Sequence, residues 1–274
     1  MAGKNKICNV NFSEFEEDDY EVQDKEKELN LPLEKLNLGP RKKLLVMNLN
    51  GLLIHRTNRG NKSEIPRSRR ADWKNGYYLA FKRPFSEEFM KFCLERFEVG
   101  LWSSAKEHNI DAALNCAIGT LKSKLLFVWD QDQCTNSGFR SLENKFKPLF
   151  FKEVNKVWDN VKKGGPYSAS NTLLIDDKPY KAFLNTVIRS HDNASIFPEP
   201  YNPEDEADNA LVSYIYTCID PKGELCSYLE GLAEGSDVQS YVKDHPFGQL
   251  AITSSHVDWS FYSKVKECLL NKGN

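Results

Sequence analysis

The sequence predicts an α/β fold, a doubly wound and mainly parallel sheet, and three observations predict it. The run that follows Lys43, Leu44-Leu45-Val46-Met47, is apolar without alternation, as a strand covered on both faces must be. Helical and strand patterns then alternate along the chain, the order that lays strands side by side in one sheet. Finally, three of the strands stop at small polar or acidic residues: Asn48 and Asn50, Ser103 and Ser104, Asp176 and Asp177. In open sheets of this kind, functional groups collect at the carboxyl ends of the strands.

Taken in order, the first strand runs to Met47 and ends in Asn48-Leu49-Asn50-Gly51. A small insertion follows it. There Arg56, Arg59, Lys62, Arg67, Arg69, Arg70 and Lys74 face only Glu64 and Asp72, which reads either as a solvated loop or as a basic element steering an acidic ligand. Trp73, Tyr77 and Tyr78 come next, as hairpin packing or as the wall of an apolar pocket. Ser86-Glu87-Glu88 reads as the cap and acidic first turn of a helix with Phe89, Phe92, Cys93 and Phe97 at helical spacing. That helix feeds a strand from Glu98 to Trp102. A helix from about Glu107 to Thr120 leads to a strand Leu125 to Trp129, and a helix around Lys152 to Val161 leads to Thr172-Leu173-Leu174-Ile175. Phe197-Pro198-Glu199-Pro200 and Pro203 to Glu206 read as an ordered loop.

The bulk composition bounds the rest. With 274 residues, 40% of them hydrophobic, one main domain over residues 43–235 has enough material for its core. Residues 1–42 hold Glu14, Glu16, Glu17, Asp18, Asp19 and Glu21 and little that could build a core, so they read as a mostly disordered acidic arm. Residues 236–274, with Trp259, Phe261, Val265 and Leu269 at near-helical spacing, read as helices that close onto the domain. The seven cysteines are scattered without a C-x-x-C pair, and the five histidines have no metal-ligand spacing; reduced, intracellular thiols are expected. A formal charge of minus 2 gives no global pull toward nucleic acid. No apolar run reaches the roughly 18–20 residues of a membrane span, so a nuclear or cytoplasmic protein is expected.

Each polar strand end has an ordinary structural reading when taken alone. Ser103 and Ser104 suit a helix cap, Lys152 an exposed helix start, and Asp176-Asp177 before Pro179 a turn. Their joint order carries more. From about residue 41 to 235 it resembles the haloacid-dehalogenase superfamily, in the branch of the RNA polymerase II C-terminal-domain phosphatases, large and small. Asn48-Leu49-Asn50-Gly51-Leu52 stands where that family has Asp-x-Asp-x-Thr/Val, with asparagine at both aspartate positions. Leu101-Trp102-Ser103-Ser104 matches the second motif, Phe151-Lys152-Glu153 the third, and Leu174-Ile175-Asp176-Asp177-Lys178-Pro179 the fourth.

The resemblance implies a haloacid-dehalogenase-type fold and a phosphate site. In the family the first aspartate attacks phosphorus and the second moves the proton, so Asn48 and Asn50 fill the nucleophile and general acid/base positions with groups unable to do either. Plant-like members of the branch often read Asp-Leu-Asn-Gly-Leu-Leu, a pattern in which Asn50 is native and Asn48 is the sole oddity. Natural loss and a deliberate Asp-to-Asn trap both produce this sequence. Ser103 and Lys152 are the implied phosphate-binding residues. Asp176 and Asp177, with Asn48 and Asn50, are the implied magnesium ligands, and the missing charge leaves magnesium binding weak or absent.

The expected function is therefore a pseudophosphatase that binds phosphoserine or phosphothreonine in a protein or Pro-containing segment, the polymerase C-terminal domain among them, or that scaffolds a partner. The alternative is a magnesium-dependent Ser/Thr phosphatase altered at Asn48. A third reading, a receptor like that of the mitochondrial inner-membrane translocase, would need a membrane anchor and an Arg-rich transit segment; neither pattern is present, and the acidic arm is the reverse of the latter.

Overall fold

A computed structural model describes residues 41–187, 194–205 and 218–272. All but the last two residues of the acidic arm lie outside them. The first strand, β1 (Leu44–Met47), is buried along its whole length. A small antiparallel sheet of β2 (Ile54–Asn58), β3 (Trp73–Asn75) and β4 (Tyr78–Lys82) forms the insertion. Then come α1 (Ser86–Arg96), β5 (Glu98–Trp102), α2 (Glu107–Ile118) and β6 (Phe127–Trp129). The hairpin β7 (Thr135–Arg140) and β8 (Pro148–Phe151) leads to α3 (Asn155–Asn160) and β9 (Thr172–Ile175). The remainder is α4 (Phe183–Val187), β10 (Ser195–Ile196), α5 (Glu224–Glu234), α6 (Val238–Asp244) and α7 (Trp259–Lys272).

The main sheet has five strands in the order β10-β9-β1-β5-β6, every pair parallel. Alternate residues of β1 serve different cores. Leu45 and Met47 pack with Phe89 of α1, Leu114 of α2 and Leu229 of α5. Leu44 and Val46 pack with Trp102, Val157 of α3 and Leu174. Both faces of β1 are covered, which is why it carries no polar residue. Because β1 lies between β5 and β9, with Met47 level with both Leu101 and Ile175, the three polar strand ends emerge side by side. Chain order reverses at β1, the switch point where such sheets open a crevice.

Several local expectations differ from the structure. Ser86 does not cap α1: Phe85, with a left-handed φ of 65°, holds that position, and the Ser86 hydroxyl lies 2.8 Å from the Leu53 carbonyl and 2.7 Å from that of Arg83. The serine thereby ties α1 to the end of the β1–β2 turn. The helix placed at Lys152 begins only at Asn155, because Leu149 and Phe151 are buried with period two and pair as β8 with β7. The second long helix stops at Ile118, before Gly119 with φ of 54°, and a 3-10 turn over Gly119–Lys124 delays β6 to Phe127.

Helix α7 reaches this region from the far end of the chain. Its Tyr262 and Val265 are buried against Leu149, Phe151 and Phe183. The packing fixes β8, and β8 delivers Lys152.

Candidate functional site

Beyond β1 the chain adds one more sheet bond, from the Asn48 N–H to the Ile175 carbonyl at 2.9 Å, and then turns sharply. Gly51 takes a φ of +88°, and a Cβ there would sit 2.3 Å from the Asp177 carboxyl carbon. Glycine alone permits both the turn and this close approach. The approach brings two oxygens onto the Asn48 side chain: its Nδ2 donates to the Asn50 carbonyl and to Asp177 Oδ1, each at 2.6 Å. On the other side, Lys152 Nζ donates to Asn48 Oδ1 at 3.0 Å and to Asp176 Oδ2 at 2.6 Å. Lysine can only donate, and a carbonyl and a carboxylate can only accept, so the orientation of this carboxamide follows from its partners.

An open cavity of about 970 Å³ lies over these groups. Asn48, Asn50, Ser103 and Asp177 line it. Lys152 and Asp176, both fully buried, are outside the lining and form an ion pair beneath Asn48. Ser103 is held by its own N–H to the Trp129 carbonyl, and its hydroxyl accepts the Ala105 N–H at 3.2 Å. The Oδ1 of Asn50 accepts the Arg56 N–H at 2.6 Å, which orients the carboxamide in the cavity wall.

Of the basic insertion, only Arg56 lines this cavity, its guanidinium 4.5 Å from the centre of the Tyr78 ring. Arg59, Lys62, Arg69, Arg70 and Lys74 line a second groove of about 370 Å³. Tyr78 lines the cavity, Trp73 packs against the core and Tyr77 is exposed.

A family model described as NLI interacting factor-like phosphatase matches residues 43–239, well over half of the chain. The chain belongs to the NLI interacting factor-like phosphatase family. An uncharacterized FCP1 homology domain-containing protein of Schizosaccharomyces pombe is 26% identical over 239 residues, covering 82% of this chain and 86% of that protein. Among solved structures, Fcp1, an essential RNA polymerase II CTD phosphatase, is 16% identical with a TM-score of 0.37. The fission yeast enzyme of that name, as a variant bound to beryllium fluoride, is 15% identical with the same TM-score. Each alignment covers 83% of this chain, which spans only 62% of the length of those chains. The α/β fold with a parallel five-stranded sheet, expected of a haloacid-dehalogenase-type domain, is the one observed. Among the described residues no helix is long and apolar enough to cross a membrane.

The site of this phosphatase-family domain contains a cation that sequence reasoning did not single out. Lys181, buried, lies 3.2 Å from Asp176 Oδ1 and 3.9 Å from Asp177 Oδ1, and it lines the cavity. Its signal was present as a lysine four residues after Asp177 in a turn opened by Pro179. Burial alone would lower its pKa, but the two carboxylates outweigh that and raise it above the ordinary lysine range. Burial likewise pulls Lys152 down, opposed by Asp176. For Asp176, burial is outweighed by Lys152 and Lys181, which hold the carboxyl below its usual range. Asp177 differs: burial pushes it up to about 6, with Lys181 opposing and Asp176 adding to the rise.

This asymmetry predicts a pH-dependent stability. Unfolded, Asp177 titrates at about 3.9, so the advantage of its protonated folded form is complete below that pH and is lost as pH rises through about 6. Asp177→Asn keeps an oxygen for the Asn48 amide and removes the charge. Relative to the parent, the variant should gain about 2–3 kcal/mol between pH 4 and pH 7, from about two pK units at about 1.4 kcal/mol each. Urea unfolding at several pH values measures the difference, and a stability gap that does not change with pH would refute it.

Proposed function

We propose that this domain binds phosphoserine or phosphothreonine in a Pro-containing protein segment and does not hydrolyse it. The observation that carries the reading is Asn48: at the position where the family's nucleophile stands, it is a buried carboxamide with its oxygen and both N–H groups engaged. An amide is a poor nucleophile beside a carboxylate, and Asn50 cannot carry a proton to a leaving alcohol near neutral pH. The cavity above them suits an anion. Arg56, Lys106, Lys145, Lys147, Lys178 and Lys181 line it against Glu64, Glu143 and Asp177. With Ser103 and the Asn50 amide, these groups supply donors for phosphate oxygens. Lys152 supports the site from below by orienting Asn48.

The resemblance to the RNA polymerase II C-terminal-domain phosphatases makes that domain the first segment to try, and the reading puts the protein in the nucleus or cytoplasm. Calorimetric titration with a phosphoserine-proline peptide and its unphosphorylated twin tests it. Two charge-assisted hydrogen bonds at about 1.5 kcal/mol each correspond to about 100-fold preference for the phosphorylated form, with no phosphate released. Equal affinity for the two peptides, or release of phosphate, would sink the proposal.

A further inference from the structure

The haloacid-dehalogenase phosphatases typically use magnesium, and the residues of this site fit that ion badly. Magnesium demands oxygen ligands at near-octahedral geometry. Between the Asn50 carbonyl and the Asp177 carboxylate, where two oxygens converge, stands Asn48 Nδ2, 2.6 Å from each. An amide nitrogen delocalises its lone pair and presents two N–H donors; it cannot serve as the third oxygen. Turning the carboxamide over would present Oδ1 instead, but would push the NH2 group against Lys152 Nζ, now 3.0 Å from that oxygen. Two donors would then face each other in a buried space, at a cost of about 1–3 kcal/mol for the unmet groups.

The charges point the same way. Asp176 and Asp177 are matched by Lys152 and Lys181, with Nζ to oxygen distances of 2.6, 3.2 and 3.9 Å. A divalent cation would unbalance a cluster that is neutral without it, in a region where charge is poorly solvated. Among the described residues no group of three or more His, Cys, Asp or Glu side chains is placed to hold a metal ion.

We infer that the Asn48 carboxamide itself ties the Asn50 carbonyl to the Asp177 carboxylate, so that this site is assembled without divalent metal. The inference deepens the phosphate-binding reading and rests on it in one respect: the anion is held by N–H, hydroxyl and ammonium groups alone. Asn48→Asp would replace two donors by an oxygen facing two oxygens, a geometry that calls for a cation.

Thermal unfolding of the full chain and of Asn48→Asp, each titrated with magnesium chloride alone, is the test. The parent melting temperature should stay flat through millimolar magnesium and be indifferent to EDTA. The Asn48→Asp protein should gain a saturable rise of about 5–10 °C at a hundredfold excess over its Kd. A saturable rise in the parent overturns the inference. So does a flat response in both proteins, because the amide would then not be what excludes the ion.

If Asn48→Asp does not fold, the parent alone decides. Manganese chloride should leave the Asn48 side-chain NH2 resonances sharp, and paramagnetic broadening of them at substoichiometric manganese overturns the inference. Phosphopeptide titration in EDTA separates the two ideas. Binding lost in EDTA counts against the metal-free site, whereas binding absent with and without magnesium counts against the phosphate reader.

Discussion

Lys152→Met should destabilise the domain by about 3–5 kcal/mol, the usual cost of removing one partner of a fully buried ion pair. Methionine keeps most of the apolar stem, so little of that loss comes from an empty cavity. It comes from Asp176 and Asn48. Asp176 retains the Lys178 N–H at 3.0 Å and Lys181 Nζ at 3.2 Å, which places the effect nearer the lower figure. Asn48 loses the donor that fixes its orientation, so the variant should also bind phosphopeptide less well than its residual stability would suggest. Adding Asp176→Asn removes the stranded charge, and the double variant should recover part of the loss even though it has fewer polar contacts. Urea unfolding of the two single variants and the double forms the cycle. A loss under about 1 kcal/mol for Lys152→Met would mean that the pair is not the buried anchor described here.

The same lysine shows where sequence reading reached its limit. As a motif member Lys152 is legible, because it lies between the second and third polar strand ends in chain order. Taken by itself it resembled an exposed helix start. Its burial depends on β8, and β8 on α7 packing Tyr262 and Val265 against Leu149 and Phe151, across more than a hundred residues. No local pattern carries that information. The strand β7, Thr135–Arg140, has no strong apolar alternation and contains Gly138. It becomes a strand because β8 and the aromatic cluster under it provide a partner.

β1, β5 and β9 were legible for the opposite reason. They sit in the middle of the sheet, so burial alone dictates their composition, and each ends at the residue where the crevice opens. The edge strand β10 is only Ser195–Ile196, shorter than any periodicity can reveal. Of the site itself, Asn48, Asn50, Ser103 and Asp177 line one cavity, while Lys152 and Asp176 lie beneath it. What sequence could not show was the division of labour between the paired acids. Asp176 turns to the lysines and Asp177 to Asn48, a choice made by Gly51 and by the path of the turn after β9.

Restoring both carboxylates should restore chemistry, and the order in which activities return should separate their roles. Asn48→Asp supplies a nucleophile at a position already held by Lys152 from behind. With magnesium in the buffer it should cleave an aryl phosphate, whose leaving group departs without a proton. A phosphoserine peptide is harder, because an alkoxide must be protonated as it leaves. Asn50→Asp provides that group. The Arg56 N–H that now donates to Asn50 Oδ1 at 2.6 Å would donate equally well to a carboxylate oxygen, leaving the second oxygen for proton transfer. The double variant should therefore exceed Asn48→Asp by about 100- to 10,000-fold on the phosphopeptide, the range for a positioned general acid/base, and by much less on the aryl ester. Asn50→Asp alone should remain silent on both, since a proton carrier has nothing to assist without the nucleophile. Turnover by the unsubstituted chain at rates matching the double variant would show that Asn48 is not the block. A double variant that binds the peptide and stays inert would move the block to the remainder of the pocket, with Lys181 the first residue to examine.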